Sequence, residues 1–301
     1  MNESSPPLKV WFYTVGVIVL ILTLSGFCIK SSYLYEKNSE KVRNMIKKSF
    51  PENKKDTTSN TSILFLGSSL SANALYNFKD TEKKLRENSK GKTNILRLFI
   101  NGLNNQILED FQIFDPINES PPDYLFIEIN HLLIGKDENI GISMLLKSSI
   151  LKIILLAKKT IGITEGDYFS KVINGANKAP FFRDDFNSEL YSLFLQQKRF
   201  VHTFSQNKEA NDAYAKLIKR KTKIIFLDMP RASKLETVWL DANQKKELQT
   251  LLQTYYQTYG IPCWKYPYRM NNADFADGGH LNYKGAKKYQ KWLASQFKLL
   301  K

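Results

Sequence analysis

Two short stretches, one early and one near the end of the chain, carry residue types that together support nucleophilic catalysis. Gly67-Ser68-Ser69-Leu70 places hydroxyls directly after the apolar run Ile63 to Leu66. Asp277-Gly278-Gly279-His280 places an acid and an imidazole on one glycine-rich loop. A serine hydroxyl is a weak nucleophile until a base takes its proton, and the base needs an acid to fix its tautomer and orientation. Asp277 can hold the His280 ring locally while the other ring nitrogen faces Ser69. Ser69, His280 and Asp277 are therefore the candidate nucleophile, base and orienting acid. Simpler uses exist for each: a serine at such a turn caps a helix, and Asp277 can close a turn while His280 packs at a helix start. The chain has three histidines. His131 has no acid placed to orient it, and His202 lies in a charged, helix-like stretch, so His280 is the preferred base.

Acyl transfer also needs donors where negative charge develops, each typically worth ~2.7–4 kcal/mol in the transition state. Asn101-Gly102 follows a second apolar run and Asn130 follows a third. The Gly102 backbone N–H and the Asn130 side-chain amide are expected to join the Ser69 N–H as an oxyanion hole, although Asn-Gly also makes plain turns. Arg231, in Asp228-Met229-Pro230-Arg231 after a fourth run, is expected to contact an anionic polymer or a substrate carbonyl. The alternative is an ordinary surface arginine.

The elements that must position these residues follow from the apolar pattern. The runs Ile63 to Leu66, Ile95 to Ile100, Tyr124 to Ile129, Lys223 to Leu227 and, more weakly, Ile261 to Trp264 alternate with helix-like segments. Near-continuous apolar strands between helices indicate a parallel sheet covered on both faces. The expected fold is α/β: a three-layer α/β/α, flavodoxin-like domain with about five strands, spanning residues 63–301. Ligands of such sheets sit outside the carboxyl ends of the strands, where Ser69, Gly102, Asn130 and Arg231 are expected to fall. A last helix follows His280, with Tyr289, Trp292, Leu293 and Phe297 at core-facing spacing. Residues 160–220 exceed a usual crossover and are expected to hold extra helices or a lid. Met144 to Lys159 is apolar with lysines at intervals, too short and too charged to span a bilayer. It reads as a core or lid helix ahead of a second membrane contact.

Val10 to Ile29 carries no charge, and a helix of that length covers the hydrocarbon core of ~30 Å. Residues 1–9 are then an N-terminal tail and residues 10–29 a single-pass anchor. Ser31 to Phe50 reads as a charged helical stalk and Pro51 to Ser62 as a polar linker. The run is longer than a signal-peptide core, and Phe27 before Cys28 does not suit lipoprotein processing. Orientation is contested. Lys30, Lys37, Lys41, Arg43, Lys47 and Lys48 follow the run, which by the positive-inside tendency puts the domain in the cytoplasm, but long following domains often translocate regardless. The two cysteines, Cys28 and Cys263, are not expected to pair, and no zinc pattern, metal or cofactor site is legible. The net charge of +15 comes from scattered lysines without aromatic interleaving, so no nucleic-acid partner is expected.

Four elements in order, GSSL at Gly67 to Leu70, NG at Asn101 to Gly102, EIN at Glu128 to Asn130 and DGGH at Asp277 to His280, resemble the four blocks of SGNH (GDSL-like) hydrolases. Ser68 stands where that family usually has Asp, and the third block lacks the usual Gly and Asp. Gly-Ser-Ser with an N-terminal anchor is similar to the membrane-anchored branch that includes the teichoic acid D-alanylation protein DltD and the alginate O-acetylation proteins. The resemblance implies an extracytoplasmic domain at the cell membrane and an acyl-Ser69 intermediate. It also implies a cell-envelope polymer or acylated glycan as substrate and a membrane-bound O-acyltransferase as a possible partner. Whether such an enzyme is an O-acyltransferase or an esterase depends on whether a sugar hydroxyl or water takes the acyl group. A catalytically silent, membrane-anchored binding protein of a polymer-modification complex is the alternative from another class.

Overall fold

Strands that bury both faces can only be satisfied between two layers of helices, and the apolar runs of this chain do so. In a computed structural model, residues 7–29, 34–50, 61–88, 93–135, 142–162, 186–189, 191–192, 202–204 and 208–300 are described. They fall into two compact units, residues 1–39 with 137–166, and residues 40–136 with 167–301. In chain order the helices are α1 (Leu8–Cys28), α2 (Glu36–Ser49), α3 (Ser69–Ala74), α4 (Lys79–Asn88), α5 (Asn105–Asp110), α6 (Phe114–Glu119), α7 (Ile142–Thr160), α8 (Lys208–Lys219), α9 (Ser233–Trp239), α10 (Ala242–Tyr259) and α11 (Tyr283–Gln296). The strands are β1 (Thr61–Gly67), β2 (Thr93–Phe99), β3 (Tyr124–Glu128), β4 (Leu133–Gly135), β5 (His202–Phe204), β6 (Lys223–Asp228) and β7 (Cys263–Lys265).

The larger unit is a five-stranded, all-parallel sheet in the order β2-β1-β3-β6-β7, the flavodoxin-like order with strands renumbered along the sheet. On one face, Ile63, Phe65, Phe126, Ile225 and Leu227 pack with Phe78, Leu85, Tyr289, Leu293 and Phe297 from the α4 and α11 side. Phe65 stacks on Phe126 with centroids 4.9 Å apart. On the other face, Phe226 meets Tyr214 of α8 at 5.8 Å and Tyr255 of α10 at 5.2 Å, edge to face. Such pairs add to the burial of two large rings. β1 starts at Thr61 rather than Ile63, because the Ser62 N–H and hydroxyl both donate to Asp123 and tie the starts of β1 and β3 together.

Several boundaries differ from expectation. His202 lies in a strand, not a helix: β5 pairs antiparallel with β4. Residues 208–219, expected within a lid, form α8 and cover the sheet, with Ala210, Ala213, Tyr214 and Leu217 buried. The rest of the expected lid, beyond residues 160–162, 186–189, 191–192, 202–204 and 208–220, and residues 51–60 of the expected linker, lie outside the described residues. The expected stalk is also shorter. From residue 40 onward α2 belongs to the larger unit, with Val42 and Ile46 fully buried and with Arg43 and Lys47 paired to Glu119 of α6. A charged helix reads as a free stalk until its few apolar residues prove to share one side.

The smaller unit contains α1 and α7. Among the described residues, α1 is the one helix long and apolar enough to cross a membrane, and most of its large side chains are exposed. α7, expected in the core or lid of the sheet domain, runs beside α1 instead. A Cβ on Gly26 would lie 2.2 Å from the Ser149 Cβ, so the absence of a side chain there is what lets the two helices approach.

Candidate active site

β1 ends at Gly67, and the backbone turns directly into α3. A Cβ on Gly67 would lie 2.3 Å from the Ser71 Oγ and 2.9 Å from the Glu128 Oε2, so only glycine lets the loop fold this tightly. Ser68 is the N-cap of α3, its Oγ accepting from the Leu70 N–H at 3.1 Å. Ser69 is therefore the first helical residue, and its N–H is one of those a helix start leaves unpaired. Its side chain is half-buried, while Ser68 and Ser71 on either side are buried.

The second half of the site is a loop held from three sides. Ala276 N–H donates to the His280 carbonyl at 2.7 Å, Asn187 N–H donates to the Ala276 carbonyl at 2.7 Å, and Ala232 N–H donates to the Gly278 carbonyl at 2.8 Å. Gly278 has φ of +90°, a conformation that favours glycine, and a Cβ there would meet the Tyr191 ring at 2.3 Å. Asn282 caps α11, accepting from the Gly285 N–H at 3.0 Å while its own amide donates to the Ala273 carbonyl at 2.8 Å. The loop is thereby fixed to the helix that follows it.

These two halves bring the expected residues together. The Ser69 Oγ lies 2.9 Å from the His280 Nε2. The His280 Nδ1 lies 2.8 Å from the Asp277 Oδ2. A carboxylate at Nδ1 places the ring proton there and leaves Nε2 as the acceptor for the serine hydroxyl. The Asp277 Oδ1 also accepts from the N–H groups of His280 at 2.9 Å and Gly279 at 3.2 Å. Burial alone would raise the Asp277 carboxyl, but the His280 ring and these two N–H groups outweigh it and hold it below the usual value. Asp277 stays ionised, with both its oxygens held by the His280 residue and its loop.

Gly102 and Asn130 both lie at the carboxyl edge that carries Ser69. The Ile100 N–H donates to the Gly67 carbonyl at 2.8 Å, which sets the Asn101-Gly102 turn beside the start of the serine loop. Gly102 is exposed and left-handed, with φ of +68°, and its N–H has no partner among the described residues. The Asn130 Oδ1 accepts from the Arg231 Nη2 at 3.4 Å, which leaves its amide as the free, donating end.

Arg231 is placed differently from the expectation. Its side chain is 3% exposed, and its guanidinium donates to Asp228 at 3.0 Å and to the Met229 carbonyl at 3.1 Å. The guanidinium carbon also lies 3.2 Å from the centroid of the Trp239 ring. A guanidinium so enclosed is a brace for Asn130 and the end of β6, not an open contact for a polymer.

The rival base is excluded by its surroundings. His131 is fully buried, its Nδ1 donating to the Glu128 carbonyl at 2.6 Å and its Nε2 accepting from the Tyr214 hydroxyl at 2.7 Å. Burial pushes it down to about 4 despite that carbonyl, so it is a neutral core residue.

One residue without an expected role stands at the centre. Glu128 ends β3 with no exposed surface and accepts from the Ser68 N–H at 2.8 Å, the Ser68 Oγ at 2.6 Å, the Ser71 N–H at 3.3 Å and the Ser71 Oγ at 2.5 Å. The serines on either side of Ser69 are thus fixed to one carboxylate. The legible signal was an acid closing an otherwise apolar strand at the carboxyl edge. Its partners, sixty residues earlier, were not.

The fold is a doubly wound α/β sheet with a Ser–His–Asp relay at its carboxyl edge. No family model and no curated protein matches the chain.

Proposed function

We propose that this chain is a membrane-anchored serine O-acyltransferase or esterase of the SGNH type, acting on acyl groups of a cell-envelope polymer. The observation that carries the reading is the continuous Ser69–His280–Asp277 hydrogen-bond relay, 2.9 and 2.8 Å, opening on a half-buried hydroxyl. In the proposed reaction the Ser69 Oγ attacks the ester carbonyl while its proton passes to the His280 Nε2. The carbonyl oxygen becomes an oxyanion facing the N–H groups of Ser69 and Gly102 and the Asn130 amide. Collapse breaks the ester C–O bond, and the leaving alcohol takes the proton from Nε2. The acyl-Ser69 ester is then attacked by a polymer hydroxyl or by water, whose proton goes to Nε2 and returns to the Ser69 Oγ. Asp277 remains ionised throughout.

A fluorophosphonate probe tests the proposal. The wild-type chain is expected to be covalently labelled at Ser69, and Ser69→Ala to be unlabelled. Absence of labelling in a folded wild type would falsify the enzyme reading and favour a silent binding protein. Protease added to intact cells tests the expected extracytoplasmic placement: removal of the domain agrees with it, and full protection places the domain inside.

A further inference from the structure

α7 and α1 lie side by side in parallel, and the approach of Gly26 to Ser149 with two further contacts fixes their register. The Ser149 Oγ donates to the Thr23 carbonyl at 3.3 Å. The Lys152 Nζ reaches the Ile29 carbonyl at 3.4 Å. Further along α7, the Lys159 Nζ pairs with Glu36, the first residue of α2, at 2.9 Å. Ser149 and Lys152 meet Thr23 and Ile29 in the same order, so α7 runs in the same direction as α1. α7 begins at Ile142, two turns before Ser149, or about 10 Å further along the shared axis. That start is level with the middle of α1.

The contact has the character of a helix pair in lipid. The helices close over Gly26 and Ser149 with almost no intervening side chain, as small residues allow where no hydrophobic drive separates protein from solvent. The Ser149 hydroxyl spends its proton on a backbone carbonyl of its neighbour, which a low-dielectric setting demands. Lys152 sits at the C-terminal end of α1, where unpaired carbonyls and the negative end of the helix dipole accept a cation. Yet Ile150, Leu151 and Ile154 are exposed, a flank that water would leave unfavourably wetted.

We propose that α7 is a second membrane element. Its first turns insert beside the C-terminal half of α1, its Ile150–Leu151 flank meets lipid acyl chains, and its lysines lie at the headgroup level. The inference rests on α1 being the membrane span. Whatever surrounds α1 at the level of Gly26 must also surround α7, because the two are packed there without a gap. Lysine stems reaching from such a depth place the ammonium in the interface, and anionic headgroups favour the exposed Lys158 there.

Spin-label accessibility in liposomes of phosphatidylcholine and phosphatidylglycerol tests this on the full chain. Single cysteines would be placed at Leu24, Leu151 and Lys158 in a Cys28→Ser, Cys263→Ser background. At Leu24 and Leu151, collisions with oxygen are expected to exceed those with an aqueous nickel chelate several-fold, with the reverse at Lys158. Nickel-chelate collisions at Leu151 would overturn the inference, as would an absence of both, if Leu24 still reads as lipid. Nickel-chelate collisions at Leu24 would instead sink the anchor reading, and the inference with it. Gly26→Ile, whose side chain overlaps Ser149, is expected to move the Leu151 label toward the aqueous pattern while Leu24 stays in lipid.

Discussion

The Glu128 carboxylate lies directly beneath Ser68, accepting from its hydroxyl at 2.6 Å through Oε1 and from its N–H at 2.8 Å through Oε2. The same Oε2 accepts from Ser71. The turn that presents Ser69 is therefore held by a side chain from a different strand. Glu128→Gln keeps the shape but sets an NH₂ group against donors. It is expected to cost roughly 1–3 kcal/mol of stability, read as a lower urea midpoint, together with a fall in turnover. Ser68→Ala is expected to lose stability too, through the cap, about 1 kcal/mol, and the orphaned Oε1.

The relay predicts an ordered series at Ser69, His280 and Asp277. Ser69→Ala and His280→Ala are expected to abolish ester turnover while leaving near-native circular dichroism. Asp277→Asn keeps the fold but loses the preferred tautomer, and the corresponding change in a serine protease costs ~10⁴ in turnover. A His131→Gln enzyme retaining turnover separates the two histidines. The opposite result, with His131 essential and His280 dispensable, would reassign the base.

His131 also sets an acid limit on stability. Its folded value is about 4 against ~6.5 unfolded, so between these the unfolded chain binds the extra proton. Stability therefore rises with pH across that window and falls on acidification, by roughly 3 kcal/mol once the pH is below both values. Urea midpoints between pH 7 and pH 4.5 should fall less steeply in His131→Gln. Equal slopes in the two proteins would place the titrating group elsewhere.

Ile46 tests how much of the N-terminal region belongs to the sheet domain. It is fully buried, and Ile46→Ala is expected to lower stability by ~2–5 kcal/mol. A free stalk would tolerate the change. Thermal melting in detergent reads the difference.

The strands were legible because parallel strands buried on both faces leave unbroken apolar runs, as Ile63 to Leu66 and Lys223 to Leu227 do. The relay was legible because its local half, Asp277 and His280, closes within one loop. The roles of Glu128 and Arg231 were not, since their partners lie on other strands and single residues carry no sign of them. α7 was misread for a different reason: an apolar helix with spaced lysines looks alike whether it packs on a sheet or beside another helix. The β4–β5 pairing escaped because three-residue strands leave too short a pattern.

Ser69 and His280 are separated by 211 positions in the chain, and that spacing sets an order on biosynthesis. A nascent chain ending before residue 277 already contains the sequence for the sheet, the serine turn and Glu128, but it has neither His280 nor α11. In the folded protein Gln290 of α11 donates to the carbonyls of Ala74 and Tyr76, so a helix made after His280 also secures the first crossover. If Ser69 acts as the nucleophile, reactivity there should appear only once the chain has been made past His280 and α11.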